Sequence, residues 1–487
     1  MSIDRQGRPY TPASHLPLRV LQAVVVYWLA LKVAALFVGQ PHSDEAYYWL
    51  WGQHLALSYL DHPPFHAWLQ AGVAAALGWN LFALRFLTLI TAGLTLWILF
   101  VWAKRIEPDN WRPRFWLSAA LFYSSPLLML YTTVAIHDRV LVVLALASVN
   151  FFALFLTDWV QGGRRFRWLY LGAFFLGLAT LTKYTGALIG VGVAVAILVR
   201  ADLRSLLRSP HLYLAALLAV AMQAPMLYWN AMHGIASAQL HLSLGFQGPM
   251  AGMEHVKRIL LETVVLLSPF AILPIMRFIG TRPAGGFGGT AHGLGQWIFA
   301  SSTIAILTVA FFREALFYWN IIAYALFFAL GAWAFRTALV QALHIAWGVI
   351  LGTALLVHFS VAPVLPAPHV GYLFGWEEVA VAVRDARAET GADFVAANGW
   401  RNASQLAFAL GNKDVASLSP DRDGFDYWFD DGLHQGLDAI VVLGPSSRMP
   451  LSRFAEFEKL GEVRFGRTDA MFGIYLGRGF IPDTESP

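Results

Sequence analysis

Through the first 360 residues of this 487-residue chain, apolar runs about twenty residues long recur, and most Lys and Arg fall in alternate gaps between them. That length matches the hydrocarbon core of a bilayer, where backbone polar groups must be satisfied within the segment, so each run is expected to form a helix. The runs lie at roughly 17–38, 81–103, 115–134, 139–158, 167–182, 184–199, 212–228, 257–279, 295–312, 318–335 and 340–360, eleven expected spans. Composition agrees: 57% of residues are hydrophobic and 13% charged, where a soluble domain carries roughly 25% charged. Cysteine is absent, which excludes a disulfide framework, a thiolate metal site and a cysteine nucleophile. The opening "MSIDRQGRPYTPASHLPLR" is polar and basic, and no small-residue cleavage signature follows the first run, so that run is expected to remain as an uncleaved span.

The basic residues orient the chain. With the N-terminus inside, the inner gaps hold Lys104, Arg105, Arg112 and Arg114, then Arg164, Arg165 and Arg167, then Arg200, Arg204 and Arg208, and later Arg277, Arg282 and Arg336. The outer gaps 40–84 and 229–256 hold no Lys or Arg, as the positive-inside rule requires. Past the Pro-rich "VAPVLPAPH" the character changes: residues 363–487 carry 18 Asp and Glu against 11 Lys and Arg, a net of −7, leaving +11 for the rest. There "ADFVAANGW", "LDAIVVLGP" and "MFGIYLGRG" read as strands, and "EEVAVAVRDARAETG" and "RNASQLAFALG" as amphipathic helices closed by Gly. The expected organisation is a polytopic α-helical membrane domain over 1–362, with a first outer loop at 40–80, and a small α/β domain over 363–487 on the outer face. No internal repeat is visible, and "AGGFGGTAHGLG" (284–295) reads as a flexible inner loop.

Candidate chemistry gathers at the outer corners, because an ionisable residue at membrane depth is costly and tends to mark a site or pathway. In "HSDEAYYWLWGQHLALSYLDHPPF" (42–65), Asp44 and Glu45 follow Ser43. They can be read as an ordinary helix start, with Ser43 as N-cap and acids at the positive end of the helix dipole. The rings after them, Tyr47 among them, can be read as an interfacial aromatic belt. Against this stands the end of the loop, where Asp61 and His62 precede Pro63 and Pro64, a rigid turn able to hold two polar side chains in place. His137, Asp138 and Arg139 occupy a tight outer connection, where Asp138 is either a helix cap or a site carboxylate. Lys183 and Tyr184 in "LTKYTGAL" have no acidic neighbour in sequence; Lys183 either snorkels or holds a phosphate. His233, His241, Glu254 and His255 fit no metal spacing and read as plain loop, and Arg313 and Glu314 form one more outer corner. There is no Gly-rich phosphate loop, nucleophile elbow, HExxH or Cys-His cluster, and nothing supports nucleic-acid binding.

With these residues in hand, "SDEAYYWLWGQHLALSYLDHPPFHAWL" resembles the first extracytoplasmic loop of bacterial proteins related to the dolichyl-phosphate-mannose protein mannosyltransferases. These include lipid A aminoarabinose transferases and rhizobial lipid A galacturonosyltransferases. Asp44-Glu45 match the family's Asp-Glu, Asp138 its later loop-opening Asp, and "LTKYTGAL" its "SKYT" segment. The carboxylate and base before Pro-Pro are Glu-Lys in the aminoarabinose transferases and Asp61-His62 here, closer to a "DHPP" subgroup. The resemblance implies a GT-C glycosyltransferase of the bacterial inner membrane, with the C-terminal domain periplasmic. It would take a sugar from a polyprenyl-phosphate donor and pass it with inversion to lipid A, polysaccharide or another envelope acceptor. On that reading Asp44 is the base, Lys183 receives the leaving phosphate with His62 and Arg139 as further candidates, and Asp138 orients the acceptor. Glu45, Asp61, Tyr47 and Tyr184 complete the expected site. No cofactor is assigned, and a divalent ion shared by Asp44 and Asp138 stays open. The rivals are a transferase acting on protein hydroxyls and a lipid-linked sugar transporter or flippase, the latter expected to show midplane charges and a repeat.

Overall fold

A computed structural model describes residues 15–243, 252–365, 373–445, 451–464 and 470–482. In chain order the helices are α1 (Leu18–Ala35), α2 (Ser43–Gln53), α3 (Phe65–Leu77), α4 (Leu81–Ile106), α5 (Trp111–Tyr123), α6 (Pro126–Tyr131), α7 (His137–Val160), α8 (Phe166–Thr182), α9 (Ala187–Val199) and α10 (Pro210–Ala221). There follow α11 (Ala224–Met232), α12 (Ala236–Ser243), α13 (Met253–Leu267), α14 (Ile272–Gly280), α15 (Gly286–Phe312), α16 (Ile321–Leu330), α17 (Ala338–Trp347), α18 (Thr353–Ser360), α19 (Trp376–Thr390) and α20 (Trp400–Leu410). The strands are β1 (Phe394–Ala397), β2 (Val415–Ser417), β3 (Ala439–Leu443), β4 (Phe454–Arg464) and β5 (Met471–Phe480).

Among the described residues, five helical stretches are long and apolar enough to cross a membrane: α1, α4, α7, α15 and the run 338–360. Two bent pairs raise that to seven, which falls short of the eleven expected from hydropathy. Backbone chemistry accounts for the difference. The expected span 115–134 stops at Ser124 and restarts as α6 with Pro126 at its head, because proline has no N–H to continue the ladder. α10 and α11 meet at 47° near Pro225, and α13 turns by 92° into Pro269–Gly280. At that turn Ser268 has φ 109°, a strained backbone held by its own hydroxyl, which accepts from the Phe270 N–H. Phe166–Thr182, Tyr184–Val199 and Phe317–Leu330 are apolar but short, and with the broken span 115–134 they make up the remaining four. The expected loop at 284–295 is instead the start of α15, buried from Gly289 to Gly295. Its glycines permit this: a Cβ on Gly289 would meet the Ala284 carbonyl oxygen at 1.5 Å, and one on Gly295 would meet Leu330 Cδ1 at 3.0 Å. Close packing there outweighs the poor helix propensity of glycine, about 1 kcal/mol per residue.

The chain divides into two compact units. The first comprises Met1–Ala34, His62–His66 and Phe86–Leu355. Its most buried long helix is α7, packed by α8, α15 and α16. The second comprises Ala35–Asp61, Ala67–Arg85 and Leu356–Pro487, so most of the outer loop belongs with the tail.

In the second unit the strands form one sheet in the order β2-β1-β3-β5-β4. β1 pairs in parallel with β2 and β3, while β5 runs antiparallel to β3 and β4. β1 and β3 are buried at every position, as continuous apolar strands between covered faces must be. β4 is the exposed edge, broken by an irregularity between Lys459 and Gly461. Both helices expected in the tail form, each stopped by a left-handed glycine, Gly391 and Gly411. α20 carries α2 on its apolar face: Trp49 meets Phe408 at 5.3 Å, Tyr47 meets Trp400 at 4.9 Å, and Gln405 donates to the Pro41 carbonyl at 2.9 Å.

Candidate functional site

α2 begins one residue earlier than a Ser43 cap would place it. His42 is the cap: its backbone is extended, its Nδ1 accepts the Asp44 N–H at 3.2 Å, and its own N–H donates to Glu45 Oε2 at 2.8 Å. This arrangement separates the two acids. Glu45 is fully buried and receives Arg85 Nε at 2.9 Å and Nη2 at 2.8 Å, a bidentate pair. Arg85 spends its remaining donors on the carbonyls of Ala35, Val38 and Gln40. Glu45 is therefore a strut that fixes the start of α2. Asp44 remains 38% exposed, with Oδ2 3.5 Å from His42 Nδ1. Burial pulls the His42 pKa down, but the Asp44 carboxylate beside its ring and the charge of Glu45 outweigh that and leave it raised.

Tyr47 donates its hydroxyl to Asp61 Oδ2 at 2.8 Å. Burial, assisted by the charge of Asp44 and opposed by the Tyr47 bond, pushes Asp61 up to about 6.

In the first unit, Asp138 opens α7 and Lys183 stands at the break after α8, its backbone extended. Lys183 Nζ donates to both Asp138 carboxylate oxygens, at 2.9 and 3.0 Å, and lies 4.7 Å from the Tyr318 ring centre. Both side chains are buried, so the cation that looks solitary in sequence is half of an ion pair. Tyr184 begins the next turn, half-buried. The His137 ring lies 4.6 Å from that of His62 and 4.7 Å from that of His66. Arg139 is buried and donates to the Thr88 hydroxyl at 3.1 Å. Lys32, also buried, donates to the Thr132 carbonyl and to the hydroxyls of Thr132 and Thr133.

Arg85, His66 and Lys32 were not singled out from the sequence, although Lys32 and Arg85 are lone charges in apolar runs, which is itself a signal. His233 stacks on Trp229, and His255 Nε2 accepts the Ala315 N–H. The side chain of His241 lies outside the described residues. Among the described residues no three His, Cys, Asp or Glu side chains are grouped to hold a metal ion. Asp138, one of the two expected ligands, is engaged by Lys183.

Residues 61–229 match the family described as dolichyl-phosphate-mannose-protein mannosyltransferase. Lipid A galacturonosyltransferase RgtD of Rhizobium johnstonii is 28% identical over 200 residues, 39% of this chain; the match spans only 38% of that relative's length. In structure the chain superposes on ArnT from Cupriavidus metallidurans bound to undecaprenyl phosphate with a TM-score of 0.62 at 15% identity, covering 94% of this chain and 98% of the other. It superposes on the oligosaccharyltransferase AglB from Archaeoglobus fulgidus, in complex with an inhibitory peptide and a dolichol-phosphate, with a TM-score of 0.53 at 11% identity, covering 87% and 69%. These relatives and neighbours are glycosyltransferases. Residues 61–229 are thus similar in sequence to the dolichyl-phosphate-mannose-protein mannosyltransferases, and over most of its length the chain shares its fold with ArnT and AglB.

Proposed function

We propose that this chain is a multi-pass inner-membrane glycosyltransferase. It moves a sugar from a polyprenyl-phosphate donor to lipid A or another envelope glycan on the outer leaflet, with inversion. The observation that carries the reading is the division of labour at α2: Glu45 is locked by Arg85, and its neighbour Asp44 is left half-exposed on the same rigid turn. Undecaprenyl phosphate bound to ArnT supports the donor class, and the lipid A activity of RgtD supports the acceptor class.

On this reading Asp44 takes the proton of the acceptor hydroxyl as its oxygen bonds to the anomeric carbon. The bond from that carbon to the phosphate oxygen breaks, and the electron pair stays with the phosphate. Inversion follows from a single displacement, whereas a carboxylate nucleophile would give retention. Lys183, oriented by Asp138, receives the charge that grows on the phosphate, with His62 and Arg139 as further cations; fixed charge aimed at developing charge is usually the largest catalytic contribution. Asp61, held by Tyr47, and Tyr184 bind sugar or prenyl groups. A protein acceptor is the second reading, favoured by the inhibitory peptide on AglB.

Mass spectrometry of lipid A, polysaccharide, glycoprotein and polyprenyl-linked sugars from wild-type, deletion and Asp44→Asn strains tests both. The expected result is one glycan lacking a sugar, with its polyprenyl-phosphate form accumulating, in deletion and variant alike. Loss of sugar from protein instead selects the second reading, and an Asp44→Asn strain matching wild type overturns the role of Asp44.

A further inference from the structure

Within the second unit, one hydroxyl on the outer-loop helix bonds both to a tail loop and to the carboxylate of Asp61. Tyr47 Oη donates to Asp61 Oδ2 at 2.8 Å and accepts the backbone N–H of Gly424 at 2.9 Å. The Tyr47 ring is 3% exposed, packed by Trp51, Trp400, Phe425 and Trp428 at centroid distances of 5.2, 4.9, 6.1 and 5.8 Å. Only glycine permits the approach: a Cβ on Gly424 would stand 2.3 Å from Tyr47 Oη and 3.1 Å from Cζ. The loop that presents Gly424 is itself braced. Asp423 accepts the Phe425 N–H and the Ser417 hydroxyl, each at 2.8 Å, and Asp426 accepts the Asp423 N–H at 2.6 Å. Hydrogen bonds thus brace Asp423 at the end of β2, and its chain neighbour Gly424 bonds to Tyr47, which bonds to Asp61.

We propose that loop 423–428 of the tail is a positioning element for Asp61, acting through the Gly424 N–H and the Tyr47 hydroxyl to fix the carboxylate in the orientation that binds substrate. A phenol has one hydrogen to give. With the Gly424 N–H occupying the oxygen, that hydrogen is committed to Asp61, and the incoming bond polarises the hydroxyl and strengthens its donation. The tail then has a part in the reaction through Asp61. The assignment of Asp61 to substrate rests on the transferase reading; the relay rests on the geometry.

The groups facing Asp61 are Tyr47 and Asp44 on the outer loop and Asp423 on the tail, with Tyr427 behind. Removing the Tyr47 bond removes a stabilisation of the ionised carboxylate, so the Asp61 midpoint must rise. Infrared difference spectroscopy of the purified full chain, titrated across pH 4 to 9, reads the protonated-carboxyl band directly, and Asp61→Asn identifies it by its loss. Tyr47→Phe keeps the ring and is expected to move that midpoint up by about one to two pH units, the worth of a hydrogen bond to a charged group. Gly424→Ala is expected to move it in the same direction by less. A role confined to folding would lower the yield of protein without moving the band. An unmoved midpoint in Tyr47→Phe overturns the relay, and movement in Tyr47→Phe without movement in Gly424→Ala overturns the part given to the tail. In cells, both variants should lower the transferred sugar by about ten- to a hundredfold at equal protein level, the cost of a misplaced group. If the deletion strain shows no missing sugar while the infrared shifts appear, the transferase reading fails and the relay stands.

Discussion

Asp44 and Glu45 are consecutive, carry the same charge and meet opposite fates. Glu45 is enclosed by Arg85 and the His42 N–H, while Asp44 keeps more than a third of its side chain exposed. Removing one partner of a buried pair leaves the other uncompensated, so Arg85→Met is expected to cost about 3–5 kcal/mol, with Glu45→Gln smaller but in the same direction. Thermal melts in detergent check this, and Arg85→Met combined with Glu45→Met should recover part of the loss. Asp44→Asn should leave the melt within about 0.5 kcal/mol of wild type, as a surface change does, while transfer falls by about 100-fold or more. The same physics governs Lys183: Lys183→Met strands Asp138 and should destabilise, and adding Asp138→Asn should restore the melt but not the product. At this scale the sequence marked the Asp44-Glu45 pair and the lone Lys183. It could not rank the two acids or find the partner of Lys183, because Arg85 lies 40 residues from Glu45 and Asp138 lies 45 from Lys183.

The elements were legible wherever a local rule decided them. α19 and α20 end at glycines, and β1 and β3 are unbroken apolar runs. The rule failed where packing overrode composition, as at the start of α15, whose glycines signalled a loop and instead let helices close on one another. Hydropathy also fused elements that proline separates, at Pro126 and Pro269. In the tail, burial together with the charges of Asp426 and Asp61 raises Asp423 to about 7, against the opposing bonds from Phe425 and Ser417. Between about pH 4 and 7 the folded state therefore holds a proton that the unfolded chain has released, so stability falls as pH rises through that window. Asp423→Asn should flatten the slope of unfolding free energy there, by at most about 1.4 kcal/mol per pH unit. Denaturant melts across that range measure it, and an unchanged slope would show that Asp423 is ionised throughout.

For the whole molecule, the absence of cysteine makes topology directly measurable. Leu55→Cys and Val381→Cys, both at exposed positions, should react with an impermeant maleimide in intact spheroplasts. Gln161→Cys should react only after permeabilisation; labelling of Gln161→Cys in sealed spheroplasts would reverse the expected orientation. The sequence by itself determined the membrane-spanning character of the chain, the charge asymmetry between its two sides and the acid-bearing corners, because hydropathy and charge act residue by residue against lipid and water. Only the tertiary structure decided that the outer loop packs with the tail, that Glu45 is locked to Arg85 while Asp44 stays partly exposed, and that Tyr47, bonded to Asp61, meets Gly424 377 residues away. Those outcomes turn on which distant groups reach hydrogen-bonding distance once the core closes, and no local pattern of polarity encodes that choice.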